Sequence, residues 1–271
     1  MINRNLLERV RPLIEASLGY ALPEKSGASI PMGVTPEGEP DGSFFAVRVD
    51  DVLAASARSE WHDGLRTILD DIHPDLLFSI AGSYEFSRIT LPDGVAVWGP
   101  VPCYVADENT WRSVNDERVV RLTDSQLSEV DWDVFWHCAE SDSLAYFGIY
   151  EGDRLVSLSS VSERGYGVNE IGVDAVQGSQ GRGLGSGVVG AAGDWILENG
   201  STPFASAADW NIASGRNLRR LGLTYTYSKL TSADGEFRIP PQPIGQPLPG
   251  HAVYDYYPRW AMNKEILERP E

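Results

Sequence analysis

The apolar positions of this chain follow two different periods. From Leu6 to Leu18 they recur at helical spacing. A polar stretch rich in Gly and Pro, 23–42, predicts a loop, and Phe44-Phe-Ala-Val-Arg-Val49 predicts a short strand. Asp50 or Asp51 stands where a cap would open a long helix through Asp71. Pro74 is placed to open another over 75–88, with Leu76, Leu77, Ile80 and Tyr84 on one side. After the turn signal Pro92-Asp-Gly94, Val95-Ala-Val-Trp98 and Cys103-Tyr-Val105 predict two short strands around Gly99-Pro100. This half carries no chemical motif.

The polar segment 107–116 predicts a linker, and beyond Arg118 the pattern becomes an ordered alternation. Val119-Val-Arg-Leu122 reads as a strand, with Thr123 or Asp124 capping a helix whose apolar set, including Trp132, Phe135 and Trp136, runs through Trp136. His137 beside it reads as a polar packing residue. Strands follow at 144–150 and 154–161 around the tight turn Glu151-Gly-Asp153, and again at 167–176. A glycine-rich turn then leads into a helix with Leu184, Val188, Ala192 and Trp195 on one face, ending at Asn199-Gly200. A strand (203–207), a short helix (212–221) and a strand (224–230) complete the alternation. The expected organisation is an N-terminal α/β domain (1–115), an alternating α/β (α+β) domain (116–230) and a Pro- and aromatic-rich extension (231–271). The Tyr254-Asp-Tyr-Tyr257 cluster in that extension is a candidate cover for a sheet edge or a homodimer surface.

Charge narrows the partners. The 271 residues carry 39 Asp and Glu against 22 Lys and Arg, a formal charge of −17, with a pI near 4.6. Neutralising a phosphate backbone or an anionic bilayer takes a cationic surface, so no nucleic acid and no membrane is expected as partner. No apolar run approaches the ~18–20 residues that span a bilayer, and the charged N-terminus is unlike a secretory leader. A cytoplasmic protein is the expectation. Only three Lys accompany 19 Arg, a balance that suits either a high-salt interior or the Arg-rich codons of a GC-rich genome. Cys103 and Cys138 cannot form a disulfide framework, and the scattered His62, His73, His137 and His251 show no metal-ligand spacing, so no metal is expected.

The most informative stretch is 170–186, Glu-Ile-Gly-Val-Asp-Ala-Val-Gln-Gly-Ser-Gln-Gly-Arg-Gly-Leu-Gly-Ser. A strand followed by glycines that open a helix offers free backbone N–H groups at the positive end of a helix dipole, a site for phosphate oxygens. A P-loop needs Lys in the turn, and no Lys occurs between Lys25 and Lys229. The Rossmann spacing of Gly185, Gly187 and Gly190 falls inside the helical repeat and lacks its ribose-binding acid, so no NAD binding is expected. Gln180, Gly183 and Gly185 match a third pattern, Gln/Arg-x-x-Gly-x-Gly.

That match, between this strand and this helix, resembles the GNAT superfamily of acyl-CoA-dependent N-acetyltransferases. The order of elements from Arg118 onward is similar to the family's mixed, mostly antiparallel sheet flanked by helices. The stretch Asn211-Ile-Ala-Ser214 through Gly222-Leu223 is similar to its Asn-x-x-Ala/Ser…Gly-Phe helix. The motifs cover less than half of the chain, and 1–115 lies outside them. The resemblance implies acetyl-CoA as co-substrate, its pyrophosphate on the amides of Gln180, Gly181, Arg182, Gly183, Leu184, Gly185 and Ser186. Asp174, Ala175 and Val176 would pair with the pantetheine like an added strand, a backbone N–H there polarising the thioester carbonyl. Asn211 and Ser214 would face it from the other side, with Arg182, Arg216 and Arg219 as candidates for the 3′-phosphate.

Glu170 occupies the position where family members place a general base. The family's general-acid Tyr, seven residues after the Asn, is replaced here by Leu218, which has no proton to give. Tyr225 is the leading substitute, with Tyr227, Tyr166 and Ser214 as others. The reaction implied is acetyl transfer to a primary amine of a small molecule. A peptide or protein N-terminus is the second acceptor class, and an acyl-CoA-binding module with weak or no catalysis is the alternative that Leu218 raises.

Overall fold

A computed structural model describes residues 2–27, 29–36, 42–139, 143–176, 181–209 and 211–234. The expectations for 177–180, including Gln180, and for the extension beyond 234 lie outside the described residues. The chain folds into two units that interleave in sequence. One comprises the described residues of 1–13, 103–206 and 213–226, and the other those of 14–102, 207–212 and 227–234.

Helix α1 (Arg4–Leu18) forms where the apolar period predicts it. In the second unit, β1 (Met32–Val34), β2 (Phe44–Val49) and β3 (Val52–Ala57) corrects two expectations: the stretch 23–42 holds a short strand, and 50–71 is not one helix. Val49 pairs with Val52, so Asp50-Asp51 is a two-residue hairpin turn with Asp50 at φ 51°, not a helix cap. β3 is buried at every position, which removes the alternation that would have marked it as a strand. α2 (His62–Asp71) begins only afterwards. The expected helix over 75–88 is two, α3 (Pro74–Leu77) and α4 (Ile80–Thr90), because Ser79 leaves helical geometry and caps α4 through the Gly82 N–H. Phe44, Trp61, Leu65, Leu77, Phe86 and Leu230 form this unit's core.

Strand β4 (Val95–Val105) runs unbroken through the cis Gly99-Pro100 bond, where two strands were expected. In the first unit, its end pairs with β9 (Thr202–Ser206), while β5 (Val119–Arg121), β6 (Ser143–Glu151), β7 (Arg154–Gly165) and β8 (Val168–Ala175) follow as an antiparallel run. β8 and β9 are parallel. The sheet is therefore mixed and mostly antiparallel. α5 (Asp124–Leu127) has the capping box Thr123/Gln126 but lasts one turn. Asp131 then accepts from the Asp133 N–H and starts a new turn, so the apolar set to Trp136 is not a helix. Phe135 is core, Trp132 leans on Tyr146, and Trp136 is 63% exposed rather than part of a core face.

Helix α6 (Leu184–Glu198) follows the glycine turn, and α7 (Ile212–Arg220) precedes β10 (Thr224–Asp234). In the second unit β10 pairs with β2, giving the order β1-β3-β2-β10. The segment expected as a linker packs on α6: Trp111 Nε1 donates to Asp194 and Ser113 Oγ to its other oxygen. A Cβ on Gly187, Gly190 or Gly193 would strike Asp116, Val114 or Trp111. Gly187 and Gly190, two of the three glycines that mimic a dinucleotide motif, are thus part of the floor of this contact. Among the described residues no helix is long and apolar enough to cross a membrane.

Candidate active site

Two parallel strands that separate create the site. β8 and β9 are paired at Val168↔Thr202, Asn169↔Pro203 and Glu170↔Phe204 only, although β8 continues to Ala175 and β9 to Ser206. On its other edge β8 stays paired with β7 as far as Ser157↔Ala175. The Val176 N–H donates to Val156 O, and Ser157 and Ser159 donate side-chain bonds to the carbonyls of Asp174 and Gly172. Backbone groups of the even-numbered residues therefore face β7, and by alternation those of Val173 and Ala175 face the opposite edge. That edge has no registered strand partner among the described residues. A peptide-like ligand arm can pair there as an extra strand.

Gly181 and Gly183 follow the same strand in the sequence. Gly181 and Gly183 have φ 78° and 77°, the left-handed region that glycine adopts without penalty. A Cβ on either would meet nothing within 4 Å, so the bare backbone faces open space. Gly183 caps α6, whose first bond runs from the Gly187 N–H to Gly183 O, leaving the Leu184, Gly185 and Ser186 N–H groups as a helix's unfilled first-turn donors. Ser186 Oγ donates to Asn217 Oδ1 at 2.5 Å, tying the first turn of α6 to α7. Asn217 is a residue the sequence reading missed. Arg182 is ion-paired with Glu151 across the turn. Asn211, whose N–H donates to Ala208 O, precedes α7, and Ser214 lies in its first turn.

The two faces of the sheet differ. Val173 packs with Leu184, Val188 and Ile149 under α6. The opposite face carries Glu170, Gly172 and Asp174, and on that side Leu122, Val130, Phe135 and Cys138 of the segment 122–139 pack with Leu158 of β7. Glu170 is held on both oxygens: Arg164 Nε donates to one at 2.5 Å and Ser206 Oγ to the other at 2.9 Å. Asp174 accepts from the His137 backbone N–H at 2.7 Å and bonds its ring Nδ1 at 2.6 Å. Cys138 beside it is buried. Desolvation first, and then the charge of Asp174, push its thiol up to about 12, so it is no nucleophile.

The acid candidates are scattered. Tyr225 stands on β10, 39% exposed and edge-on to Tyr104 with ring centroids 6.3 Å apart. Tyr104 pairs with Ala205 of β9 and receives Arg219 Nη1 at 3.4 Å. Tyr227 is 2% exposed, whereas Tyr166 sits on the β7–β8 turn at φ 54°. Leu218 is buried.

Solved structures that resemble the chain include GNAT-family acetyltransferases. A protein from Novosphingobium aromaticivorans assigned to the GNAT family has 17% identity and a TM-score of 0.45, over 51% of this chain and 66% of its own. A GCN5-related N-acetyltransferase from Kribbella flavida has 15% identity and a TM-score of 0.43, over 54% and 62%. A GNAT-family acetyltransferase from Colwellia psychrerythraea has 13% identity and a TM-score of 0.43, over 83% and 96%. No protein-family profile matches the chain, and no curated protein does. At this distance the likenesses carry no functional weight, and the chemistry has to come from the chain's own residues.

Proposed function

We propose that the chain is an acetyl-CoA-dependent N-acetyltransferase of the GNAT superfamily that acetylates a primary amine of a small molecule. One observation carries the reading: β8 parts from β9 after Glu170↔Phe204, and the glycines Gly181 and Gly183 and the first turn of α6 follow it in the sequence. An unpaired strand edge suits the amides of a pantetheine arm, and a bare helix N-terminus suits the pyrophosphate at its end. The two fit one elongated ligand because they are consecutive in the chain. Acetyl-CoA supplies an activated thioester, and the protein's part is to align it and to handle protons. A backbone N–H at Val173 or Ala175 is a candidate donor to the thioester oxygen as charge develops there.

Glu170 and Asp174 on the other face favour a cationic acceptor, since two carboxylates there lower the free energy of an ammonium. Glu170 has both oxygens taken, by Arg164 and Ser206, so it lends charge to this face rather than a direct bond to the acceptor. Tyr225 remains the candidate acid. Leu218 supports a second reading, a module that binds acyl-CoA without turnover.

Thiol release from acetyl-CoA across a panel of primary amines, with calorimetric titration of CoA, separates these. Amine-dependent release is expected. CoA binding without release for any amine supports the module, and absence of CoA binding defeats both readings.

A further inference from the structure

Among the described residues, the titratable pair on the acceptor face that has an unused nitrogen is His137–Asp174. We infer that His137 is the general base of this site, held and oriented by Asp174 as a positioning residue. The inference rests on the acetyltransferase reading above and assigns its proton acceptor to a residue outside the glycine motif.

Geometry carries the assignment. Asp174 takes two bonds from one residue, the His137 backbone N–H at 2.7 Å and ring Nδ1 at 2.6 Å. An ionised carboxylate only accepts, so Nδ1 carries a hydrogen, and in the neutral imidazole Nε2 then keeps its lone pair. Nε2 has no hydrogen-bond partner among the described residues. The Asp174 side chain is 11% exposed and that of His137 is 46% exposed, so the anchor is sheltered while the ring stays accessible. Trp136 stacks on the ring, with centroids 3.4 Å apart. Gly172 makes the seat: a Cβ there would lie 2.7 Å from His137 O. A sheltered carboxylate that fixes the tautomer of an imidazole and leaves its far nitrogen bare is the arrangement that makes histidine a base.

Location agrees. Asp174 lies four residues beyond Glu170, the last β8 residue paired with β9, and is flanked by Val173 and Ala175 on the open edge. A thioester paired to that edge has the imidazole on the acceptor side of the strand. The neighbouring titratable groups are otherwise engaged. Glu170 is bound on both oxygens, and Cys138 is sealed in the core.

In the step inferred, an ammonium proton passes to Nε2 and the freed lone pair forms the C–N bond at the thioester carbonyl. The C–S bond breaks with its electron pair on sulfur, and the second nitrogen proton goes to the thiolate. The imidazolium then releases its proton to water. The sum is an amide, a thiol and one proton.

His137→Gln is expected to lower kcat by about 10²-fold or more while the KM for acetyl-CoA stays within twofold. His137→Ala is expected to regain turnover with added imidazole, which a packing defect would not do. In ¹⁵N spectra His137 is expected as the Nδ1–H tautomer, lost in Asp174→Asn. Wild-type turnover in His137→Gln overturns the dyad and leaves the acetyltransferase reading standing. A wild-type His137 found as the Nε2–H tautomer overturns it whatever the enzyme assay shows. Failure of the wild type to bind CoA defeats the parent reading instead.

Discussion

Cys138 and Tyr20 are two acids that the fold keeps protonated. Burial pushes the Cys138 thiol up to about 12, and burial likewise raises the Tyr20 phenol to about 12, against a partly offsetting bond to the Ala55 backbone. Each holds its proton more tightly folded than unfolded, so the unfolded chain binds fewer protons above the ordinary values near 9 and 10. Stability from both is complete below pH 9 and drains away as pH climbs toward 12. The thermal midpoint is expected to be flat in this respect to about pH 9 and to fall from there. Cys138→Ala should soften the early part of that fall in a pH series of melting curves. At this scale the sequence told part of the story. The glycines at 181 and 183 were legible because a turn that opens a helix needs them. The His137–Asp174 pair was not, because 36 intervening residues are closed by a turn whose shape depends on Gly172 lacking a side chain.

Among the elements, α6 shows how one sequence feature can serve packing rather than chemistry. Gly187, Gly190 and Gly193 recur every three residues and admit Asp116, Val114 and Trp111 against the helix. A Cβ on Gly193 would stand 2.1 Å from the Trp111 ring, whose Nε1 is held at 2.7 Å by Asp194. Gly193→Ala gains helix propensity but overpacks this contact, a cost of about 1–3 kcal/mol. The melting midpoint should drop by about 2–10 °C. Gly200→Ala, at φ 74° with open space around it, should fall less in the same scan. Elements with one buried face were readable, as α1, β6 and β8 were. β3 was hidden because both of its faces are buried, and the stretch after α5 because Asp131 diverts the backbone where apolar spacing alone would continue a helix.

At the scale of the whole molecule, the −17 charge sets a repulsion that no local contact removes. The ion pairs Arg9–Glu108 and Arg88–Glu85 face solvent, where such pairs contribute little and are screened by salt. Salt weakens both effects, and the long-range repulsion is the larger. Raising KCl from about 0.05 M to 1 M should therefore raise the melting midpoint, as the Debye length shrinks to about 3 Å. A midpoint unmoved by salt would remove the high-salt interior as the reason for the acidic composition. The charge led to the expectation of no polyanionic partner, but it does not speak against a phosphate ligand, because the turn at 181–186 offers amides and needs no lysine.

The interleaving of the two units has a consequence for inheritance. Each unit is assembled from three stretches of chain, and β4 and β10 each carry residues of both. No single cut yields either unit whole, so neither can be gained, lost or exchanged by joining gene ends. A recombination event that swapped one unit would need several simultaneous crossovers. The two are therefore bound to be transmitted together, and substitutions in one are always tested by selection in the company of the other.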